Sequence, residues 1–264
     1  MQHTSVPETT AKSRSVLTTI GHTTRGERAR LLGCTRLFRS APPDLLATFA
    51  AHSTHVRLRG GEQLWKRGDL AEHFYVVVRG VLELQRRRPG CDDTTLIALF
   101  GPGESPAIPV ALEQGQFIAD AFAATGELEV IRVRATPVLA ALPSNVALAL
   151  AMNRALLDHC RLLHSKIDVM VAGPVRSRLA GFFLDLVERF GDEYADGRYH
   201  VPVSLSRHQV ATYVGARVET VIRCCSAWQK SGLLATTPDG FVLASLDELR
   251  AILDGACEEI EPVT

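Results

Sequence analysis

Hydrophobic and polar positions change period along this chain. From about Thr54 to Val133 apolar residues recur in short runs with turn residues between them, the pattern of half-buried strands. Val56-Arg57-Leu58-Arg59 alternates before Gly60-Gly61, and Gln63-Leu64-Trp65 precedes Lys66-Arg67-Gly68-Asp69. Phe74 to Val78 is aromatic and β-branched and turns through Arg79-Gly80 into Val81-Leu82-Glu83-Leu84. Thr94 to Phe100 ends at Gly101-Pro102-Gly103, and Leu128 to Val133 alternates again. Short strands at this spacing predict an antiparallel barrel or roll. A short helix is expected ahead of it at Pro43–Ala51.

From Ser144 to about Val171 the period becomes helical, with no Gly or Pro inside. Val146, Ala149, Asn153, Leu156, Cys160, Leu163, Ile167 and Met170 follow one another at alternating spacings of three and four residues. That heptad seam predicts a parallel dimer, with Asn153 fixing register at some cost in stability. An amphipathic helix packed on its own roll has the same signature, and one helix can present a face to each. Gly173-Pro174 reads as a hinge, and Arg176 to Phe190 as the next helix.

Ser204 to Arg223 then reads as helix, tight turn, helix. Ser206 can cap the first helix, Val210, Ala211 and Val214 share a face, and Gly215 marks the break. The second helix starts near Val218 and carries Glu219 and Arg223 four residues apart, on one face. A helix-turn-helix offers such a face to the DNA major groove, where Arg donates twice to guanine and Glu accepts from cytosine N4. A two-helix corner with a surface ion pair is the competing reading. Leu234 to Leu243 reads as a two-stranded wing turning at Pro238-Asp239-Gly240, and Ser245 caps a last helix near Leu246–Leu253.

Composition narrows the function. The 264 residues allow one large domain or two ordinary ones, and no apolar run reaches the roughly 18 residues of a membrane span. With no signal-peptide core at the N-terminus, a cytoplasmic protein is expected, without a membrane partner. The six cysteines (Cys34, Cys91, Cys160, Cys224, Cys225, Cys257) show no CxxC pairing, so no structural metal is expected. No phosphate loop, GxSxG or HExxH occurs, and no nucleophile–base set appears at usable spacing, which argues against an enzyme. Net charge is zero, from 29 basic and 29 acidic residues. The charge is uneven, however: Arg198, Arg207, Arg217, Arg223 and Lys230 surround the helix-turn-helix, while acids gather in the tail. A local basic face is what phosphate contact requires.

Roll, long helix, hinge and winged helix-turn-helix, in that order, make an α+β chain that resembles the cyclic-AMP receptor protein/FNR (CRP/FNR) family of bacterial transcription regulators. The resemblance covers roughly residues 35 to 255. It rests on Lys66-Arg67-Gly68-Asp69, Phe74 to Gly80 and Gly101-Pro102-Gly103-Glu104 in the roll, and on Ser177-Arg178-Leu179-Ala180 and the Ser206 to Arg223 stretch beyond it. Val218 to Arg223, followed by Gln229-Lys230-Ser231-Gly232-Leu233-Leu234, is closer to the FNR side. The layout expected is a disordered extension over 1–28, a cyclic-nucleotide-binding-like β-roll sensor over 29–143, a dimerisation helix over 144–172, and the DNA-binding domain over 173–264.

The resemblance implies that Glu219 and Arg223 read bases, while Ser206, Arg207, His208, Arg217 and Thr220 hold phosphates. Val218 stands where the cyclic-AMP receptor has a further base-reading Arg, so a TTGA-type palindrome is expected rather than a TGTGA-type one. Ile222 replaces a serine of FNR and leaves the outer base open. RNA polymerase is an implied partner, with the acidic loop Asp192 to Asp196 in the position where family activators touch it.

For the sensor, the resemblance implies no cyclic AMP. The family's Gly-Glu and Arg-Ser pairs align with Ala107-Ile108 and Ile118-Ala119, so no cation meets the phosphate. Nor is an iron–sulfur cluster expected, with Cys34 alone near the N-terminus and Cys91 isolated. Three readings stay open. An apolar ligand or haem could lie near Ile108, Phe117, Ile118 and Phe122, with His159, Cys160 or His164 as an axial ligand. Thiol oxidation at Cys224-Cys225 could disturb DNA docking. Or no effector acts. For each candidate the plainer alternative is core packing or a surface side chain. The alternative function is a non-DNA-binding dimeric module that senses a ligand or haem.

Overall fold

The computed structural model describes residues 18–19, 23–87 and 94–255. The roll comprises two four-stranded antiparallel sheets. One runs in the order β1 (Thr18–Thr19), β2 (Ser53–Arg59), β8 (Glu127–Arg134), β4 (His73–Arg79). The other runs β3 (Gln63–Trp65), β7 (Asp120–Ala123), β5 (Leu82–Arg87), β6 (Thr94–Phe100). Alternation does what its period requires: in β2, Val56 and Leu58 are buried while Arg57 and Arg59 face out. Between β4 and β5, Gly80 takes φ 77°, and a Cβ there would sit 2.2 Å from the Glu127 carbonyl, so only glycine closes this turn.

Helices cover the roll at both ends. α1 (Arg25–Cys34) and α2 (Pro43–Ala51) precede β2, α3 (Ile108–Leu112) lies between β6 and β7, and α4 (Ala135–Ala141) follows β8. The expected disorder over 1–28 is corrected in part. α1 starts at Arg25, because Thr24 accepts from the Glu27 amide and Glu27 accepts from the Thr24 amide in a capping box. Arg28 then ties the helix to the Ala50 carbonyl. The Thr18–Thr19 backbone pairs with Val56 and Arg57, and the rest of that extension lies outside the described residues. So do Cys91 and Cys257.

α5 (Val146–Val171) is the long helix, capped by Asn145. Gly173 at φ 77° breaks it before α6 (Val175–Phe190). The second domain adds β9 (Asp192–Glu193), β10 (Tyr199–Val201), α7 (Arg207–Val214), α8 (Val218–Ser231), β11 (Leu234–Thr237), β12 (Gly240–Leu243) and α9 (Leu246–Asp254). Its sheet order is β11-β12-β10-β9. The wing forms, but its loop is Pro238-Asp239, with Thr237 facing Gly240. Gly240 is needed for a different reason than a left-handed turn: a Cβ there would stand 2.0 Å from the Val201 carbonyl of β10.

Two cores result. The first fills the roll and takes Leu148 and Met152 from α5. The second joins α6 to α9 and also includes Val81, Leu96, Leu99 and Ala124 of the roll. The helix-turn-helix domain is therefore packed on its own roll through β6. No described helix is long and apolar enough on its own to cross a membrane.

Candidate nucleic-acid interface

Helix α7 begins as the sequence dictates. Ser206 Oγ accepts from the Gln209 amide and Gln209 Oε1 accepts from the Ser206 amide, completing a capping box. Gly215 ends the helix at φ 65°, the left-handed position expected of it. α8 starts at Val218. Its inner face buries Val221, Cys225 and Trp228 against the second core. The outer face is Glu219, Ile222, Arg223, Ala227 and Lys230, all exposed. Glu219 and Arg223 share that face, and among the described residues no hydrogen bond or ion pair engages either one. The surface ion pair that offered the plainer alternative does not form.

The expected phosphate contacts separate into two groups. Arg217 is the exposed N-cap of α8, and Thr220 stands half-buried on its first turn. Ser206 is exposed at the mouth of α7, with His208 half-buried two residues on. Arg207 is instead turned onto the wing. Its Nη2 donates to Thr236 Oγ1 at 2.7 Å and its guanidinium lies 5.5 Å from the Phe241 ring, which braces α7 against β11 and β12.

Of the expected α5 seam, Asn153, Cys160, Leu163, Ile167 and Met170 are exposed, while Leu156 is half-buried. Asn153, Cys160 and Ile167 are exposed in one stripe, which continues through Val146, Leu150, Leu157, His164 and Val171 at spacings of four and three residues. Leu156 lies instead against the roll core. The Met170 methyl packs over the helix-turn-helix glycine, with a Cβ at Gly215 3.3 Å away. Leu163 is exposed on the edge of the stripe. The roll takes Leu156 from that row and leaves the neighbouring Leu157 exposed, one residue round the helix.

The four residues expected to line an effector pocket do not meet in one. Ile108 is buried in the roll core and Phe117 stacks on Trp65 at 4.4 Å. Ile118 is 65% exposed, and Phe122 sits half-buried on β7 between the inward-facing Ala121 and Ala123. Nor do the expected axial ligands converge: His159 turns inward, stacking on Phe100, while Cys160 and His164 lie on the exposed stripe. Among the described residues no cluster of three metal-ligating side chains exists. Cys224 is half-buried. Cys225 is buried, and desolvation pushes its thiol up, away from the reactive thiolate.

Sequence reasoning missed the contacts that hold this interface to the roll. Glu83 of β5 is buried, pushed up to about 7 by desolvation, and accepts from Gln85 and from Gln209 Nε2 of α7. Lys166 Nζ donates to the Leu96 and Ile97 carbonyls at 2.6 and 3.2 Å, lies 4.6 Å from the Tyr213 ring centre, and is pushed down to about 8 by burial. Arg189 of α6 donates to the Leu99 carbonyl and pairs with Glu104 at 3.0 Å. The available signal was an acid flanked by leucines inside a strand, Leu82-Glu83-Leu84. All three are buried, which requires cover on both faces of β5.

Comparison with known proteins matches both halves. Residues 177–252 match the Crp-like helix-turn-helix domain, and residues 55–145 the cyclic nucleotide-binding domain. The chain is 25% identical over 196 residues to the nitrogen fixation regulation protein FixK of Azorhizobium caulinodans, covering 74% of this chain and 75% of that protein. It is 26% identical over 179 residues to the cyclic AMP receptor protein of Thermus thermophilus, covering 67% and 78% respectively. The structure of FixK2 from Bradyrhizobium japonicum superposes with TM-score 0.63 at 22% identity, over 76% of this chain and 96% of that one, a likeness of fold.

Proposed function

Because the chain belongs to the CRP/FNR family of transcription regulators, which bind DNA and are not enzymes, we propose that two copies read a TTGA-type palindrome through Glu219 and Arg223. The observation that carries this reading is the outer face of α8. Both side chains are exposed and unengaged at i and i+4, on a helix whose opposite face is anchored by Val221, Cys225 and Trp228. Arg223 donates to guanine O6 and N7, and Glu219 accepts from cytosine N4. Ile222, 47% exposed between them, offers an apolar contact to a thymine methyl at the outer base. Arg217, Ser206, His208 and Thr220 supply the phosphate contacts, with Arg207 acting through the wing.

Family members act as dimers, and the exposed α5 stripe, which includes Asn153, supplies a surface for it here. The sensor does not take cyclic nucleotide: Ile108, where the family's Glu would stand, is sealed in the roll core, and no cation occupies the Ile118-Ala119 position. RNA polymerase contact at the Asp192–Glu193 hairpin and residence in the cytoplasm follow from the same reading.

The test is a fluorescence-anisotropy titration of the full chain at fixed salt with TTGA-type, TGTGA-type and scrambled duplexes. Preference for the TTGA duplex is expected. Preference for TGTGA, or equal binding to all three with and without added cyclic AMP, overturns the base assignment.

A further inference from the structure

A groove of about 530 Å³ lies between the α1–α2 connection and α5, lined by Arg36, Arg39, Arg154 and Arg161. Arg36, Arg39 and Arg154 are exposed and enter no ion pair among the described residues. Arg161 is held by Asp158 at 2.7 Å, which neutralises the carboxylate in the wall. The groove shares Arg36, Ala155 and Asp158 with an adjoining cavity of about 50 Å³, walled by Leu37, Phe100, Leu162 and Glu104, whose carboxylate is paired with Arg189 at 3.0 Å.

That cavity also carries two buried polar atoms with no hydrogen-bond partner, Ser105 Oγ and His159 Nδ1. Buried polar atoms are nearly always satisfied, so two on one small cavity mark a place where a partner belongs. The His159 ring lies 6.0 Å from that of Phe100, inclined by 15°. Burial holds its pKa below the usual histidine value, so the ring is neutral and offers one donor and one acceptor. The lining includes neither Ala107-Ile108 nor Ile118-Ala119, the positions aligned with the family's Gly-Glu and Arg-Ser pairs.

We propose that groove and cavity together bind a small organic phosphate, with its phosphate among Arg36, Arg39 and Arg154 and its hydroxyl-bearing body on Ser105 and His159. Guanidinium forks match phosphate oxygens in pairs, and three unpaired forks suit a dianion better than a single carboxylate. A hydroxyl both donates and accepts, which satisfies a serine and a neutral imidazole together. The ligand would join the α1–α2 connection, the roll and the inward side of α5, and so set how the long helix sits on the roll. The inference is independent of which bases α8 reads.

Glycerol 3-phosphate is the probe, with inorganic phosphate and glycerol as its two halves, in calorimetric titrations of the full chain at fixed salt. Glycerol 3-phosphate should bind at least about tenfold more tightly than either half. Arg36→Ala with Arg154→Ala should weaken it by at least about tenfold. Ser105→Ala with His159→Phe, which keeps a ring on Phe100, should leave phosphate affinity intact and remove the advantage of glycerol 3-phosphate. Thermal melts of each variant identify losses caused by unfolding. No saturable binding, equal affinity for phosphate and glycerol 3-phosphate, or unchanged affinity in the arginine variant overturns the proposal. So does a loss of phosphate-free DNA affinity in the arginine variant, which would assign these arginines to the DNA backbone.

Discussion

Gln209 donates from Nε2 to the Glu83 carboxylate at 2.8 Å while its Oε1 accepts from the Ser206 amide at 2.8 Å. One side chain thus closes the cap of the first helix-turn-helix helix and ties that helix to the roll. Helix start and domain docking are coupled through a single amide.

This coupling is pH-dependent, because burial raises Glu83 from its ordinary 4.5 to about 7. A carboxyl with a raised folded-state pKa contributes stability that is complete below the unfolded value and is lost as pH climbs to the folded one. Relative to Glu83→Gln, the wild type should lose on the order of 2–3 kcal/mol between pH 4.5 and 7 and stay level above that. Thermal melts of both proteins across that range check it. A constant difference would mean that the carboxyl ionises freely in the folded chain.

Lys166 joins three elements: it leaves α5, donates to two β6 carbonyls, and covers a ring of α7. Lys166→Met keeps most of the stem and removes the charged donor. We expect about 1–2 kcal/mol of destabilisation, with faster hydrogen exchange in α7 and β6 than in the β2–β8 pair. Uniform exchange changes would show that the lysine does not act at the domain junction.

Arg223→Ala should weaken binding to the preferred duplex by about 1–3 kcal/mol and relax discrimination at one guanine. Arg217→Ala should lower affinity for all duplexes alike and shallow the salt dependence, as a phosphate contact does. Anisotropy titrations at two salt concentrations separate the two behaviours.

On α5, Leu157 is 56% exposed within the free stripe while Leu156 packs on the roll. Leu157→Glu should give a folded monomer by light scattering, since a charge in a heptad seam is buried on pairing. Leu156→Ala should lower the melting temperature while leaving the dimer intact. The reverse pattern would restore the Leu156 register.

Gly240→Ala would force β10 and β12 apart at the Val201 carbonyl. The cost should reach about 3 kcal/mol or more, read as a fall in the melting temperature, because backbone rather than a movable side chain receives the new methyl.

The sequence by itself determined every element whose signal is local. Strand alternation in β2 and β8, the Ser206 cap, the Gly215 break, the hairpin of the wing and the outer face of α8 all follow from period and backbone preference, so residue order alone specifies them. The capping box Thr24–Glu27 is equally local, but it lies in a polar stretch without periodicity, so period alone does not predict its helix. Tertiary structure decided what depends on residues distant in sequence. Only packing shows that the roll takes Leu156 and leaves Leu157, since both fit a heptad and the choice depends on which flank the roll covers. Only packing buries Glu83 under Gln209 and turns Arg207 to the wing. It also separates Ile108 from Ile118 and gathers Arg36 with Arg154 across more than a hundred residues of chain. Such neighbours are set by how two cores share the sheet of β5 and β6, and no spacing along the chain encodes that contact.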